Sequence, residues 1–159
     1  MGGLIVVLVV LAAASVVGLV IRRRQGRFRA QSSTSAVSRT HAADSSGPAA
    51  ADGALTAAEL GASLGERATL VQFSTEFCAY CGPTRELLAE VAGARDGVAF
   101  VEIDAARRLD LTRRLNIYTT PTVLLLAADG SIAQRASGKP SRSDVLAAVG
   151  SVLGEGVPS

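Results

Sequence analysis

Two cysteines occur in this 159-residue chain, three positions apart as Cys78-Ala79-Tyr80-Cys81. They follow an apolar, β-capable run over Thr69 to Phe73 and precede a run of helical character over Arg85 to Ala92. A helix beginning beside Cys78 aims unpaired backbone N–H groups and the positive end of its dipole at the sulfur, which favours thiolate, the nucleophilic form, over thiol. Two intervening residues bring Cys81 round by nearly one helical turn, so the two sulfurs can close a small, readily reversed disulfide ring. Such a pair passes electrons. A structural zinc ion wants four ligands, and the chain offers only these thiols and His41 in a distant polar segment, so no metal and no other cofactor are expected. A stapling bridge would gain little from so short a loop.

The elements that must hold the pair can be read around it. Leu55 to Leu64 opens with Thr56 and Glu59 at capping-box spacing and reads as a short helix. Thr69 to Ser74 predicts a strand, Ala79 to Val91 a helix with Leu87, Leu88 and Val91 on one face, and Val98 to Ile103 a second strand, together a βαβ unit. Arg107 to Leu115 predicts a further helix and Thr122 to Ala127 a buried strand. Asp129-Gly130 then turns the chain into a strand over Ile132 to Ala136. Ser141 and Asp144 start a last helix with Val145, Leu146 and Val149 facing inward.

This α/β order, with the cysteine pair after the first strand, resembles the thioredoxin family over about residues 55 to 150. Val71-Gln72-Phe73-Ser74-Thr75-Glu76-Phe77-Cys78 is similar to the family's strand and pre-cysteine loop, Leu87-Leu88-Ala89-Glu90-Val91-Ala92 to its next helix, and Asn116-Ile117-Tyr118-Thr119-Thr120-Pro121-Thr122 to its proline loop. The resemblance implies a mixed central sheet flanked by helices and a cis bond before Pro121. That bond would turn the Thr120 backbone towards the thiols, its N–H and C=O free to pair with an extended substrate strand. It also implies thiol-disulfide exchange through Cys78 and Cys81, with Phe77, Tyr80, Thr120 and Pro121 against the substrate. Protein disulfides are the implied partners, a thioredoxin-reductase-like protein the implied electron donor, and the domain is expected to be monomeric.

Several positions depart from the family. Phe77 stands where thioredoxins carry Trp, keeping an apolar cover without the indole N–H. Gln72 replaces their buried Asp and Phe100 its lysine partner, leaving Glu76, Glu102 or water to accept the Cys81 proton. Ala79-Tyr80 replaces Gly-Pro, and Thr120 stands where Ile is frequent. Laying Cys81-Gly82-Pro83-Thr84 on the family's cysteine motif instead would need a three-residue insertion and spoil the match at Leu88 and Val91. Pro83 is expected to kink or delay the first helical turns.

Outside this domain, Leu4 to Ile21 runs without a charged side chain, which as a helix would span about 27 Å, close to the hydrocarbon thickness of a bilayer. Met1-Gly2-Gly3 lacks the basic start of a signal peptide, and a single transmembrane helix is expected. Arg22, Arg23, Arg24, Arg27 and Arg29 crowd its carboxyl side, so the positive-inside rule predicts a single-pass cell-membrane protein with its domain in the cytoplasm; an extracytoplasmic domain is the alternative. Residues 1–29 thus form an anchor, 30–54 a Ser-, Ala- and Gly-rich flexible linker, 55–154 the folded domain and 155–159 a tail. Residues 1–54 hold six Arg against Asp44 and Asp52, a surplus of four positive charges. Residues 55–159 hold ten basic and twelve acidic groups, a net −2. The domain therefore lacks the basic surplus that grips nucleic acid. The 48% hydrophobic content suffices for one core.

Overall fold

The computed structural model describes residues 10–11, 13–16, 27–30 and 54–155. Five strands, β1 (Arg29–Ala30), β2 (Ala68–Ser74), β3 (Val98–Asp104), β4 (Thr122–Ala127) and β5 (Ile132–Ser137), form one mixed sheet in the order β1-β5-β4-β2-β3. β2 pairs parallel with β3 in register from Ala68 with Val98 to Ser74 with Asp104, and antiparallel with β4. β5 is antiparallel to both β4 and β1. All seven β2 residues are buried, as befits a strand covered on both faces.

Period-two alternation sorts the core into two layers. Val71, Phe73, Val101, Ile103, Leu124 and Leu126 pack with Leu55, Leu60, Leu111 and Leu115, the side of helices α1 (Ala57–Leu60) and α3 (Leu109–Arg114). On the other face Leu70, Val123, Leu125 and Ala136 meet Leu88, Val91 and Ala92 of α2 (Cys81–Gly93) and Val145, Ala148 and Val149 of α4 (Arg142–Leu153).

Helix ends depart from the sequence reading for local reasons. The capping box of Thr56 and Glu59 is present, but α1 stops after Leu60 because Gly61 takes the left-handed conformation at φ 69°. Leu64 then packs on the core from outside the helix. α3 begins at Leu109 rather than Arg107, since the Asp104 carboxylate accepts the Ala106 N–H at 2.8 Å and holds the preceding residues in a turn. In α4 the third inward position is Ala148, and Leu146 is only half-buried. At the β4–β5 turn Gly130 has φ 82°, and a Cβ there would stand 2.2 Å from the Leu55 carbonyl oxygen, so only glycine fits.

Among the described residues no helix is long and apolar enough to cross a membrane. The predicted span over Leu4 to Ile21 lies outside them apart from residues 10–11 and 13–16, which are helical. Of the predicted linker, residues 31–53 also lie outside. Its expected boundary after residue 29 falls inside β1, where Arg29 pairs with Arg135 and Ala30 with Gln134. Residues 156–159 of the predicted tail are outside as well.

Candidate active site

The helix carrying the second cysteine starts two residues later than its sequence predicts. Tyr80 is the N-cap, and the first ladder bond runs from the Thr84 N–H to the Tyr80 carbonyl at 3.2 Å, joined there by the Thr84 hydroxyl at 2.7 Å. Pro83 therefore lies within the first turn, where its missing N–H removes no ladder bond. The loop ahead is a short turn in which the Cys78 N–H donates to the Thr75 carbonyl at 3.3 Å and the Cys81 N–H to the Cys78 carbonyl at 3.2 Å.

Cys78 and Cys81 are joined as a disulfide with Cα atoms 5.4 Å apart. Cys81 is 3% exposed, whereas Cys78 is only half-buried. An incoming sulfur or thiolate thus meets Cys78 first. The positive end of a 13-residue helix lies beside the pair, a setting that stabilises the thiolate released on reduction.

Beneath the pair, Gln72 is fully buried in β2. Its Nε2 donates to the Cys81 carbonyl at 2.9 Å, and its Oε1 has no hydrogen-bond partner. A neutral amide thus occupies the place of a proton-accepting carboxylate. Glu102, on the same sheet face, is engaged elsewhere: it accepts from the Ser74 hydroxyl at 2.8 Å and is paired by Arg85 at 2.7 Å, a bond that holds the guanidinium above its usual pKa. Glu76 is exposed on the loop.

The proline loop closes the other side. Asn116 takes a left-handed conformation at φ 51°, a region Asn tolerates, and ends α3. The Ile117 N–H donates to the Thr112 carbonyl at 2.8 Å, and the half-buried Arg135 guanidinium, its pKa lowered by burial, donates to the Leu115 carbonyl. The Thr120–Pro121 bond is cis, as the family resemblance implies. Pro121 is buried and Thr120 half-buried, and among the described residues the Thr120 backbone N–H and C=O make no hydrogen bond. The Thr120 and Thr75 hydroxyls lie 3.1 Å apart and hydrogen-bond, tying the proline loop to the cysteine loop.

Two hollows flank Thr120. One, of about 620 Å³, is lined by Tyr80, Thr120, Pro121, Ser137, Gly138 and Lys139; the other, of about 290 Å³, by residues including Thr75, Leu109, Tyr118 and Thr120. The structure therefore brings Tyr80, Thr120 and Pro121 together in one groove. Phe77 does not cover the pair: it is 96% exposed, because the turn from Thr75 to Cys78 directs it outward. Sequence reasoning missed Thr75, Tyr118 and the segment Ser137 to Lys139. Thr75 lies inside the motif around the cysteines, but nothing in the sequence pairs it with Thr120. Among the described residues no cluster of three or more His, Cys, Asp or Glu side chains is arranged to hold a metal.

A mixed α/β sheet presenting a dithiol-disulfide pair at a helix start, opposite a cis-proline, defines a thiol-redox fold. The thioredoxin family model matches residues 54–151, more than half of the chain, and the chain belongs to the thioredoxin family. Among solved structures it is similar to chloroplastic thioredoxin z, with 26% identity and a TM-score of 0.50 over 55% of this chain and 79% of that one. It also resembles a mutant thioredoxin from Halobacterium salinarum NRC-1, with 22% identity and a TM-score of 0.51 over 58% of this chain and 80% of that one. No curated protein matches the chain.

Proposed function

We propose that the protein is a membrane-tethered thiol-disulfide oxidoreductase that reduces protein disulfides. The observation that carries this reading is the asymmetry of the pair at the start of α2, with Cys78 accessible and Cys81 buried. In the reduced protein the Cys78 thiolate attacks one sulfur of a substrate disulfide; a Cys78–substrate bond forms, the substrate S–S bond breaks, and one substrate thiolate leaves. Cys81, as thiolate, then attacks the Cys78 sulfur, closing the Cys78–Cys81 disulfide and releasing the second substrate thiolate. Two electrons have passed to the substrate. A thioredoxin-reductase-like donor returns the pair to dithiol. That the Thr120 N–H and C=O make no hydrogen bond among the described residues supports their pairing with an extended substrate strand, with Tyr80 and Pro121 along its path and the exposed Phe77 against it.

The charge-free run from Leu4 to Ile21 supports a single membrane span, and the following arginines support a cytoplasmic domain, with an extracytoplasmic one as the alternative. The test is catalytic reduction of insulin disulfides by the full chain with a small-molecule dithiol as donor. Many turnovers per protein are expected, and consumption of one equivalent followed by arrest would contradict turnover. That arrest is the signature of the second reading, a redox-sensing or partner-docking module, which the neutral Gln72 beneath Cys81 favours by leaving the proton relay without a buried carboxylate.

A further inference from the structure

We infer that the Cys78–Cys81 site faces the bilayer and that its substrates are disulfides held at the membrane surface. This rests on the anchored oxidoreductase reading above and adds an orientation to it. Strand polarity supplies that orientation. β2 runs towards the cysteines, and Thr122, which follows Pro121, pairs with Phe73 at that same end of the sheet. Ser137 pairs with Thr122 there in turn. β1 is antiparallel to β5, with Arg29 opposite Arg135 and Ala30 opposite Gln134, so the chain enters β1 from the Ser137 end, the end that carries the active site. Phe28 fixes this entry by packing, half-buried, against the core layer that contains Ala136, Val145 and Val149.

Five residues separate Ile21 from Arg27. Fully extended, the six steps from Ile21 to Arg27 reach about 22 Å, less than the width of a small domain. β1 lies three strand spacings from β2, about 14 Å. An anchor ending at Ile21 therefore holds the active-site end of the sheet, rather than the end with the Asp129-Gly130 turn, next to the headgroups. The surface at this end suits that neighbour. Tyr118 is 85% exposed and Tyr80 57%, and side chains with one apolar and one polar aspect favour the membrane interface, while the 96% exposed Phe77 offers an apolar ring to the acyl boundary. Arg27, Arg29 and Lys139 are exposed at the same end and suit anionic lipid.

The chain has no tryptophan, so single substitutions report position without background. Full-length Phe77→Trp and Ala128→Trp proteins, the second probe lying in the turn at the far end of the sheet, would be reconstituted in phosphatidylcholine/phosphatidylglycerol vesicles carrying a nitroxide on the headgroup. Quenching at position 77 is expected to exceed that at 128 several-fold. Phe28→Glu, which undocks β1, should erase the difference while leaving insulin turnover unchanged. A disulfide peptide coupled to a lipid headgroup should be reduced several-fold faster by the parent than by Phe28→Glu, with no such gap for the same peptide in solution. Equal quenching at the two positions, or stronger quenching at 128, in protein that floats with the vesicles and reduces insulin overturns the orientation alone. Equal rates on the coupled peptide overturn the substrate assignment. Failure to float overturns the anchored reading, and floating protein that does not turn over insulin overturns the enzymatic one.

Discussion

The hydroxyls of Thr75 and Thr120 meet at 3.1 Å, joining the loop that bears Cys78 to the loop that bears Pro121. The two residues lie 45 positions apart in sequence, and this side-chain bond links their loops directly. Removing one partner leaves the other with an unmade bond in a partly buried place, at a cost of about 1 kcal/mol. Thr75→Val is expected to lower stability by about that amount in denaturant titration. It should raise KM for insulin more than it lowers kcat, because the substrate-binding edge loses its register with the attacking sulfur while the cysteine chemistry is retained. Thr75→Ser should restore both.

Gln72 holds a neutral amide beneath the Cys81 carbonyl. Gln72→Leu strips the Cys81 carbonyl of its buried donor and should destabilise the oxidised protein by about 1–3 kcal/mol, read by thermal or urea unfolding. Gln72→Asp instead places a carboxylate under the helix, its pKa raised by burial, where it can take the Cys81 proton. Resolution of the mixed disulfide near neutral pH should then quicken by about tenfold or more in rapid-mixing experiments. The sign for stability is opposite. A raised carboxylate pKa favours the fold at pH values below the unfolded value near 3.9, and that contribution is lost as pH rises through the folded value, so the stability difference between this variant and the parent should be larger, to the variant's cost, at pH 7 than at pH 4.

Phe77 separates function from stability. Being 96% exposed, it contributes no core packing, and Phe77→Ser should leave unfolding free energy within about 0.5 kcal/mol of the parent. Its KM for a protein disulfide should rise several-fold, with a small-molecule disulfide little affected. Loss of stability without loss of affinity would mean the ring packs inward.

Acid should weaken the capping box of α1. The Glu59 carboxylate is held below the usual range, chiefly by the Thr56 backbone N–H and further by Arg114, which approaches to 2.6 Å. A depressed carboxylate pKa contributes stability above the unfolded value, near 4.3, and that contribution disappears as pH falls through the folded value. Stability measured from pH 5 down to pH 3 should therefore decline, and Glu59→Gln should flatten part of that decline while costing about 1 kcal/mol at neutral pH.

Much of this was legible in the residues. The Thr122 to Ala127 strand has its predicted bounds because a buried, uninterrupted apolar run after proline has few other readings. The bend at Asp129-Gly130 and the capping box of Thr56 and Glu59 follow from local chemistry alone. What could not be read depends on partners distant in sequence or on the path of a loop. The Thr75–Thr120 bond, the clamp of Arg85 and Ser74 on Glu102, and the entry of β1 at the active-site end all require tertiary contact. The outward turn of Phe77 and the start of α2 at Cys81 depend on how the chain bends between Thr75 and Tyr80, which the residue types alone leave open.

The division of labour between the two sulfurs is tested most directly by mass spectrometry of the full-length Cys81→Ser protein, reduced and mixed with oxidised insulin. A stable adduct joining Cys78 to an insulin cysteine is predicted, absent from the parent and from Cys78→Ser. An adduct on the Cys81 sulfur in Cys78→Ser protein, with none on Cys78 in a folded Cys81→Ser protein, would contradict the assignment of Cys78 as nucleophile.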